Sequence, residues 1–448
     1  MMSRADLLAL RVPRYTSYPT APHFHTGVGA STYEDWLRQL PARLPLSLYV
    51  HVPFCDTLCW FCGCHTKVVN TYSPVASYLE LLRSELALVS GIAGNGHRVT
   101  HIHFGGGSPT LLSPRDFSDL AAHIRSSFLV ERNAEFAVEI DPRGLSDEMI
   151  TSLAESGVNR VSIGVQDIDP LVQRAVNRIQ PFETTRTAIE KLRAAGIANV
   201  NVDVMYGLPN QSVEHVSATI EAMLSLRPGR LAVFGYAHVP HMKRHMKLID
   251  ANTLPSTNDR IAQFDHAYRA LVGSGYLPIG LDHFALPEDS MARAAMSGRL
   301  SRNFQGYTTD AAPALLGIGA SAIGSLPQGY VQNEPDAPRY RQLIRANKLP
   351  TARGVALTAE DKVRRQIIET LMCSLRVDLA AIANESGLAP NHFAAEIAAL
   401  REFELAGFVV IDGWRLTVPA NERSAVRLIA AVFDRYLEHS TARHALAV

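Results

Sequence analysis

The sequence predicts an α/β protein built on an incomplete (β/α)6 TIM-type barrel, with an N-terminal arm and a mostly helical, winged-helix-like C-terminal domain. Three observations carry that prediction. Apolar strand-like runs alternate with helical runs from about residue 46 onward, the pattern of a parallel sheet covered by helices. The clear units number six, too few for a closed eight-stranded barrel. The polar and glycine-rich signals follow the strands, on the rim where barrel active sites form. A chain of 448 residues with 47% hydrophobic content has material for two or three domains. These read as an arm over 1–45, the barrel over 46–345 and the C-terminal domain over 346–448.

Taken in order, residues 12–22, with Pro13, Pro19 and Pro22, are too rich in proline for a helix or strand and read as a surface arm, whose Tyr15 and Tyr18 suggest that it packs on something. Ser31 and Glu34 have capping-box spacing at the head of a short helix through Trp36 and Leu40. Residues 46–52 alternate as a first strand. Ser73-Pro74 opens a helix running to about Ser90, because proline suits the first helical turn. Further strands are expected at 99–104, 136–141, 160–166, 200–205 and 231–234, with helices beginning at Ser113-Pro114, Ser146, Asp169-Pro170 and Ser212. Residues 277–281 are a candidate seventh strand. Beyond about 345, Thr358 and Asp361 begin a helix carrying Val363, Ile367, Ile368, Leu371 and Met372, and residues 408–418 read as a hairpin with an Asp412-Gly413 turn.

Charge narrows the function. Lys plus Arg and Asp plus Glu are both 43, so the chain lacks the global basic field of a nucleic-acid binder. The C-terminal module is not notably basic either and reads as a packing or lid domain. The N-terminal residues do not make a signal peptide and no stretch is long enough to span a bilayer, so cytoplasmic residence without membrane contact is the expectation.

Four of the five cysteines, Cys55, Cys59, Cys62 and Cys64, fall within ten residues after the first strand. Thiols at C-x3-C-x2-C spacing fold round one metal centre, and three thiolates leave one iron of a 4Fe–4S cluster without a protein ligand, an open position for chemistry. Structural zinc and plain buried thiols are the alternatives; zinc usually shows a second pair of ligands, which does not follow here. Gly105, Gly106 and Gly107 after the second strand let a backbone approach a ligand closely. Glu139, Gln166 and Asp203 stand at or near the ends of the third, fourth and fifth strands; a polar group in an apolar strand is costly unless paired, so each reads singly as a satisfied core group or a site residue, and jointly they form one polar ring. Arg178 is a candidate carboxylate partner. His101 and His103 share a strand face and read as rim or core histidines. The stretch 236–245 after the sixth strand is locally cationic and reads either as a solvated loop or, at a barrel mouth, as a partner for anionic groups.

The cysteine spacing, with an aromatic before the last cysteine, resembles the cluster loop of the radical S-adenosylmethionine enzymes. Residues 13–20, Gly63-Cys64, Glu139-Ile140-Asp141-Pro142-Arg143, Gly164-Val165-Gln166-Asp167, residues 203–209, Asp282-His283-Phe284 and residues 302–307 together resemble the oxygen-independent coproporphyrinogen III oxidases. The resemblance implies Cys55, Cys59 and Cys62 as cluster ligands, with Cys64 outside the set, and two molecules of S-adenosylmethionine. Tyr49, Gly106, Glu139 and Ile323 match contacts to the first; Phe61, Gly107, Ser108, Gln166, Arg178, Asp203 and Ala237 match contacts to the second. Ser108 stands where the family usually has threonine and keeps the hydroxyl. The implied reaction is reductive cleavage of the cofactor to methionine and a 5′-deoxyadenosyl radical. That radical takes a hydrogen from the propionate carbon next to the pyrrole, carbon dioxide leaves, and two rounds turn two propionates of coproporphyrinogen III into the vinyls of protoporphyrinogen IX. An unidentified electron donor and electron acceptor are implied partners, nucleic acid is not, and the expected state is a monomer. No single residue is assigned as catalytic. A related haem-binding chaperone is the alternative; that group lacks the Gly63-Cys64 extension, the arginine-tyrosine arm and the 302–307 stretch. A purely structural metal protein leaves Glu139, Gln166 and Asp203 without a role.

Overall fold

Apolar runs without strict alternation make strands that bury both faces, and such strands demand cover on both sides. In the computed structural model, which describes residues 4–8, 10–94 and 96–437, six of them run parallel in chain order. They are β1 (Pro45–Val52), β2 (Arg98–Gly106), β3 (Leu129–Ile140), β4 (Arg160–Gln166), β5 (Asn199–Tyr206) and β6 (Arg230–Gly235). The connections are α1 (Ser73–Ala93), α2 (Pro114–Ser127), α3 (Asp147–Glu155), α4 (Phe182–Ala194) and α5 (Val213–Ser225), and α6 (Thr257–Gly273) follows β6. Ser113, Ser146, Asp169 and Ser212 each accept a first-turn amide, as their positions predict. The short helix at Ala30–Arg38 is different: Gly29 is its N-cap, and Ser31 already lies inside the helix.

The strand at 277–281 is corrected in extent and place. β7 (Leu277–Ile279) stops before Gly280, whose φ of +53° turns the chain, and β8 (His283–Ala285) inserts antiparallel between it and β6. The sheet also grows on its other edge. β9 (Ala314–Ile318) pairs parallel with β1, and β10 (Ile323–Leu326), β11 (Gly329–Asn333) and β12 (Thr351–Ala356) follow antiparallel. The result is one sheet of 12 strands in the order β12-β11-β10-β9-β1-β2-β3-β4-β5-β6-β8-β7. The extension is rich in glycine because backbones cross closely: a Cβ on Gly317 would come within 2.7 Å of the Ile323 backbone.

Packing fixes the barrel half. Phe104 on β2, Phe117 on α2 and Phe136 on β3 are fully or almost fully buried with ring centres 5.2–6.1 Å apart, each contributing about 2 kcal/mol of apolar burial. The C-terminal segment begins with α7 (Ala359–Ser374), capped by the reciprocal Thr358–Asp361 box. Its hairpin pairs Asp412 with Arg415, so the turn residues are Gly413 and Trp414, not Asp412-Gly413; Gly413 has the positive φ that the first central position requires. A third strand, Arg376–Asp378, pairs with the second arm of the hairpin. This segment has its own core, and Leu7, Val12, Tyr15 and Tyr18 of the arm are buried in it beside Ile367, Leu371 and Phe433.

One buried carboxylate joins the barrel to its extension. Glu85 on α1 accepts from the Gly319 amide (2.8 Å), the Asn333 side chain (2.6 Å) and the Tyr340 hydroxyl (2.5 Å). Burial pushes its carboxyl up to about 7, outweighing those three hydrogen bonds, which pull it down. An acid raised in the folded chain keeps its proton where the unfolded chain has lost it. Its contribution is therefore complete below the ordinary carboxylate range and is lost as pH rises through 7. Urea midpoints taken from pH 5 to pH 8 are expected to fall, with Glu85 accounting for on the order of 1 kcal/mol per unit. Glu85→Gln removes that share of the slope, whereas Glu85→Leu strands the donors and costs about 3 kcal/mol at any pH.

Candidate active site

The cysteine loop leaves the end of β1 and is tied down on all sides by backbone groups. Lys67 and Val69 amides donate to the Pro53 and Cys55 carbonyls (2.6 and 3.0 Å), the Trp60 amide to Val176 (2.9 Å), and the Asn177 side chain to Leu58 (2.9 Å). From the far side of the rim, Lys243 donates to the Cys64 carbonyl and His245 pairs with that of Cys62, both at 2.8 Å. Trp60 and Phe61 pack against a small core of Val172, Val176, Leu208, Tyr236 and Met246 at the ends of β4, β5 and β6. The loop is thus held to several strand ends at once.

The glycine run at the end of β2 is welded to this loop. The Gly107 amide donates to Val52 (2.8 Å) and the Ser108 amide to Phe54 (2.7 Å), while the Gly106 amide donates to the Glu139 carboxylate at 2.9 Å. A side chain at any of the three glycines has no room: a Cβ on Gly105 would lie 2.6 Å from the Glu139 carboxylate, one on Gly106 would strike the His51 ring, and one on Gly107 the Phe54 carbonyl. Gly106 also holds φ +109°. Glu139 is the hub, since His103 adds a bond of 3.1 Å. Burial works to raise its carboxyl, and the His103 contact with the Gly106 amide overcomes this and holds it below the ordinary range.

Deeper in the barrel, Asp203 on β5 accepts from Ser162 (3.0 Å) and Asn201 (3.1 Å), and burial pushes it up to about 6. Glu139, Asp203, His101, His103 and His283 line one cavity of about 300 Å³ that reaches Cys64. His101 faces Asp310 at 3.2 Å and His103 faces Glu139, so each histidine has a carboxylate. Tyr49 hydrogen-bonds His51 (3.0 Å); its register partner on β9 is Gly317, and Ile323 of β10 covers the space that glycine leaves. Gln166 sits apart from that cavity at φ +71° with its carbonyl oxygen buried and unpartnered. Ala237 lines a second cavity beyond β6.

The thiols stand in a charged setting. Asp141 holds Arg143 (2.6 Å) and Arg178 (3.1 Å), and both guanidinium groups reach Cys59 Sγ, at 3.7 and 3.5 Å. Arg178 therefore meets its carboxylate through one nitrogen and gives another to the Gly164 carbonyl; its Nε is buried without a partner. Burial pushes the Cys55 thiol up to about 12, with Cys62 and Cys59 adding to the effect. The hydrogen bond from Cys64 draws Cys62 down to about 6 against burial, helped by Lys243 and His245. Among the described residues no three His, Cys, Asp or Glu side chains close on a single metal ion. Four free thiols lie on this loop; the three at C-x3-C-x2-C spacing, with cationic donors beside the buried Cys59, suit an anionic cluster in which three irons would each take one thiolate. His51, Arg143 and His283 were not singled out from sequence; Arg143 and His283 lay inside quoted stretches, while His51 carried no signal beyond its place on β1.

Asp141→Asn is expected to release both guanidinium groups. Iron affinity of the anaerobically reconstituted protein then falls about tenfold with unchanged far-ultraviolet circular dichroism, measured by iron content after competition with a chelator.

Known proteins match this chain along almost its whole length. The radical SAM superfamily model matches residues 49–223 and the HemN C-terminal domain model matches residues 357–424. An oxygen-independent coproporphyrinogen III oxidase of Bradyrhizobium diazoefficiens is 49% identical, covering 99% of this chain and 100% of the relative. One of Pseudomonas aeruginosa is 39% identical, covering 97% and 96%. The solved structure of coproporphyrinogen III oxidase (HemN) from Escherichia coli, described as a radical SAM enzyme, superposes with a TM-score of 0.91 at 36% identity, covering 95% of this chain and 100% of that one. This chain belongs to the oxygen-independent coproporphyrinogen III oxidase family of radical SAM enzymes, which work with a 4Fe–4S cluster and S-adenosylmethionine.

Proposed function

We propose that this chain oxidatively decarboxylates two propionate side chains of coproporphyrinogen III to vinyl groups, giving protoporphyrinogen IX. The observation that carries the reading is the opening of the cysteine loop, through Cys64, onto the polar cavity of Glu139 and Asp203, in a chain matched along its length by enzymes of that name. When bound, the cluster and S-adenosylmethionine supply the 5′-deoxyadenosyl radical and release methionine. Each round removes one hydrogen atom from the propionate carbon next to the pyrrole, breaks the bond to the carboxylate as carbon dioxide, and passes one electron to an acceptor. Two rounds use two electrons from a donor and two S-adenosylmethionine molecules.

The protein's share is position and exclusion. Cys55, Cys59 and Cys62 hold the cluster, leaving Cys64 on the cavity wall. Tyr49, Gly106, Glu139 and Ile323 hold one S-adenosylmethionine; the low-titrating Glu139 carboxylate is charged and suits an ammonium group. Phe61, Gly107, Ser108, Gln166, Arg178, Asp203 and Ala237 hold a second. The buried, unpartnered Gln166 Oε1 and Arg178 Nε support that second site, because buried polar atoms without partners are rare unless a ligand completes them. Water is kept from the reacting carbon by the walls of the cavity, to which the ribbon Ser301–Asn303 and Gly306–Thr308 contributes Asn303, Tyr307 and Thr308.

Anaerobically reconstituted protein given a reductant, S-adenosylmethionine and coproporphyrinogen III is expected to form protoporphyrinogen IX, with two carbon dioxide and two 5′-deoxyadenosine released per turnover. Formation of 5′-deoxyadenosine alone, with tight haem binding, overturns the proposal. Cys62→Ser is expected to lose cofactor cleavage altogether, and retained cleavage removes Cys62 from the ligand set.

A further inference from the structure

Beyond the end of β6 lies a second cavity of about 300 Å³ lined by five arginines, Arg11, Arg14, Arg260, Arg302 and Arg427, and a single carboxylate, Asp282. They come from the N-terminal arm, α6, the ribbon after β8 and the C-terminal core. Asp282 already accepts from His283 (2.7 Å). Three of the arginines have structural duties: Arg14 donates to Gly235 (2.9 Å), Arg302 to Tyr15 (3.1 Å) and Arg427 to Pro13 (3.1 Å). Arg260 is different. Its guanidinium lies over the Tyr206 ring, 5.5 Å from the centroid, its Nε is buried without a hydrogen-bond partner, and Arg14 bears on it as a like charge.

The sequence around it makes room for this arrangement. Gly207 follows β5 and Gly235 closes β6; a Cβ on Gly207 would strike the Arg260 guanidinium, and one on Gly235 would press on the Tyr206 hydroxyl and, just beyond it, on the same guanidinium. A desolvated cation held among like charges, with no acid of its own, is costly unless a ligand supplies the acid. Arg302 Nη1 is likewise buried and unpartnered. Planar guanidinium forks bind carboxylates by paired charge-assisted hydrogen bonds. Asp282 faces this cavity while its neighbour His283 faces the barrel cavity, so the two share a wall.

We infer that this arginine cavity seats propionate carboxylates of the tetrapyrrole, with Arg260 as a binding and specificity-determining residue. The inference rests on the proposed activity and deepens it. A decarboxylating enzyme has to hold the carboxylates it does not remove, and a pocket for anions next to the reaction cavity fixes which propionates face inward. Ala237 lies on the wall of the same cavity, so the carboxylate of S-adenosylmethionine is the competing occupant.

The test uses the full, cluster-loaded chain. Coproporphyrin III, the stable oxidised analogue, is titrated by its fluorescence, and S-adenosylmethionine by equilibrium dialysis. Arg260→Met is expected to weaken coproporphyrin III roughly tenfold and leave S-adenosylmethionine affinity within about twofold, while Arg260→Lys recovers part of the loss. Gly235→Ala, which crowds Tyr206 and the guanidinium lying over it without removing the charge, gives a second reading should Arg260→Met fold poorly; it is expected to weaken the porphyrin in the same direction. Unchanged porphyrin affinity in both variants overturns the inference and leaves the activity standing. So does a loss confined to S-adenosylmethionine, which reassigns the cavity to the cofactor. A wild-type chain that neither binds coproporphyrin III nor decarboxylates coproporphyrinogen III overturns the activity, and the inference with it.

Discussion

The site depends on the seam where the glycine run of β2 meets the cysteine loop. The Gly106, Gly107 and Ser108 amides all donate across that seam, to Glu139, Val52 and Phe54. A carboxylate receiving an amide and a histidine in a desolvated place is both charged and immobile. It therefore sets the height of the glycine run, and the run in turn sets the loop. The three glycines are required by this closeness: each would drive a methyl group into a group that the seam already uses.

Electrostatics are divided along the rim. Near the thiols, cations are matched: Asp141 holds Arg143 and Arg178 and aims them at sulfur. Deeper in the barrel, Arg160 and Arg230 are matched by Glu135 and Asp289 at 2.6–2.9 Å. Beyond β6 the matching stops, and arginines line a cavity with Asp282 as its single carboxylate. Neutral overall charge thus conceals a local excess of positive charge, which is why composition spoke only against a global basic field.

Much of this was open to reading along the sequence. The strands β1 to β6 show themselves through apolar runs, and the helix starts through Ser113, Ser146, Asp169 and Ser212, because these depend on neighbours a few residues away. The cysteines, the glycine run, Glu139 and Asp203 were visible for the same reason; the structure sets the glycine run and Glu139 beside the cysteine loop, while Asp203 lies deeper, in the middle of β5 rather than at its end, on the cavity that Glu139 and Cys64 also line. β9 was missed: Gly317 within it and Gly319 just after it weaken the strand signal, and what they serve, the close pass of β10 at Gly317 and of Tyr78 and the His51 carbonyl at Gly319, is contact made in space. Arg260 carries no local mark either. It sits in an ordinary amphipathic helix, and only the folded chain places it between two strand-end glycines. Gln166 was visible as a polar residue at a strand end, but its left-handed backbone was not.

The arm has a consequence for how the protein is made. Tyr15 hydrogen-bonds Asp434 at 3.1 Å, and Val12 and Tyr18 are buried in the core that contains Phe433. Ribosomes add about 5–20 residues per second, so the arm waits roughly tens of seconds after leaving the tunnel before its partners exist. During that interval a segment with buried tyrosines and valine has no core to enter. The barrel can close early, while the wall of the arginine cavity is completed only when the first and last parts of the chain meet, which makes binding competence a late event in synthesis.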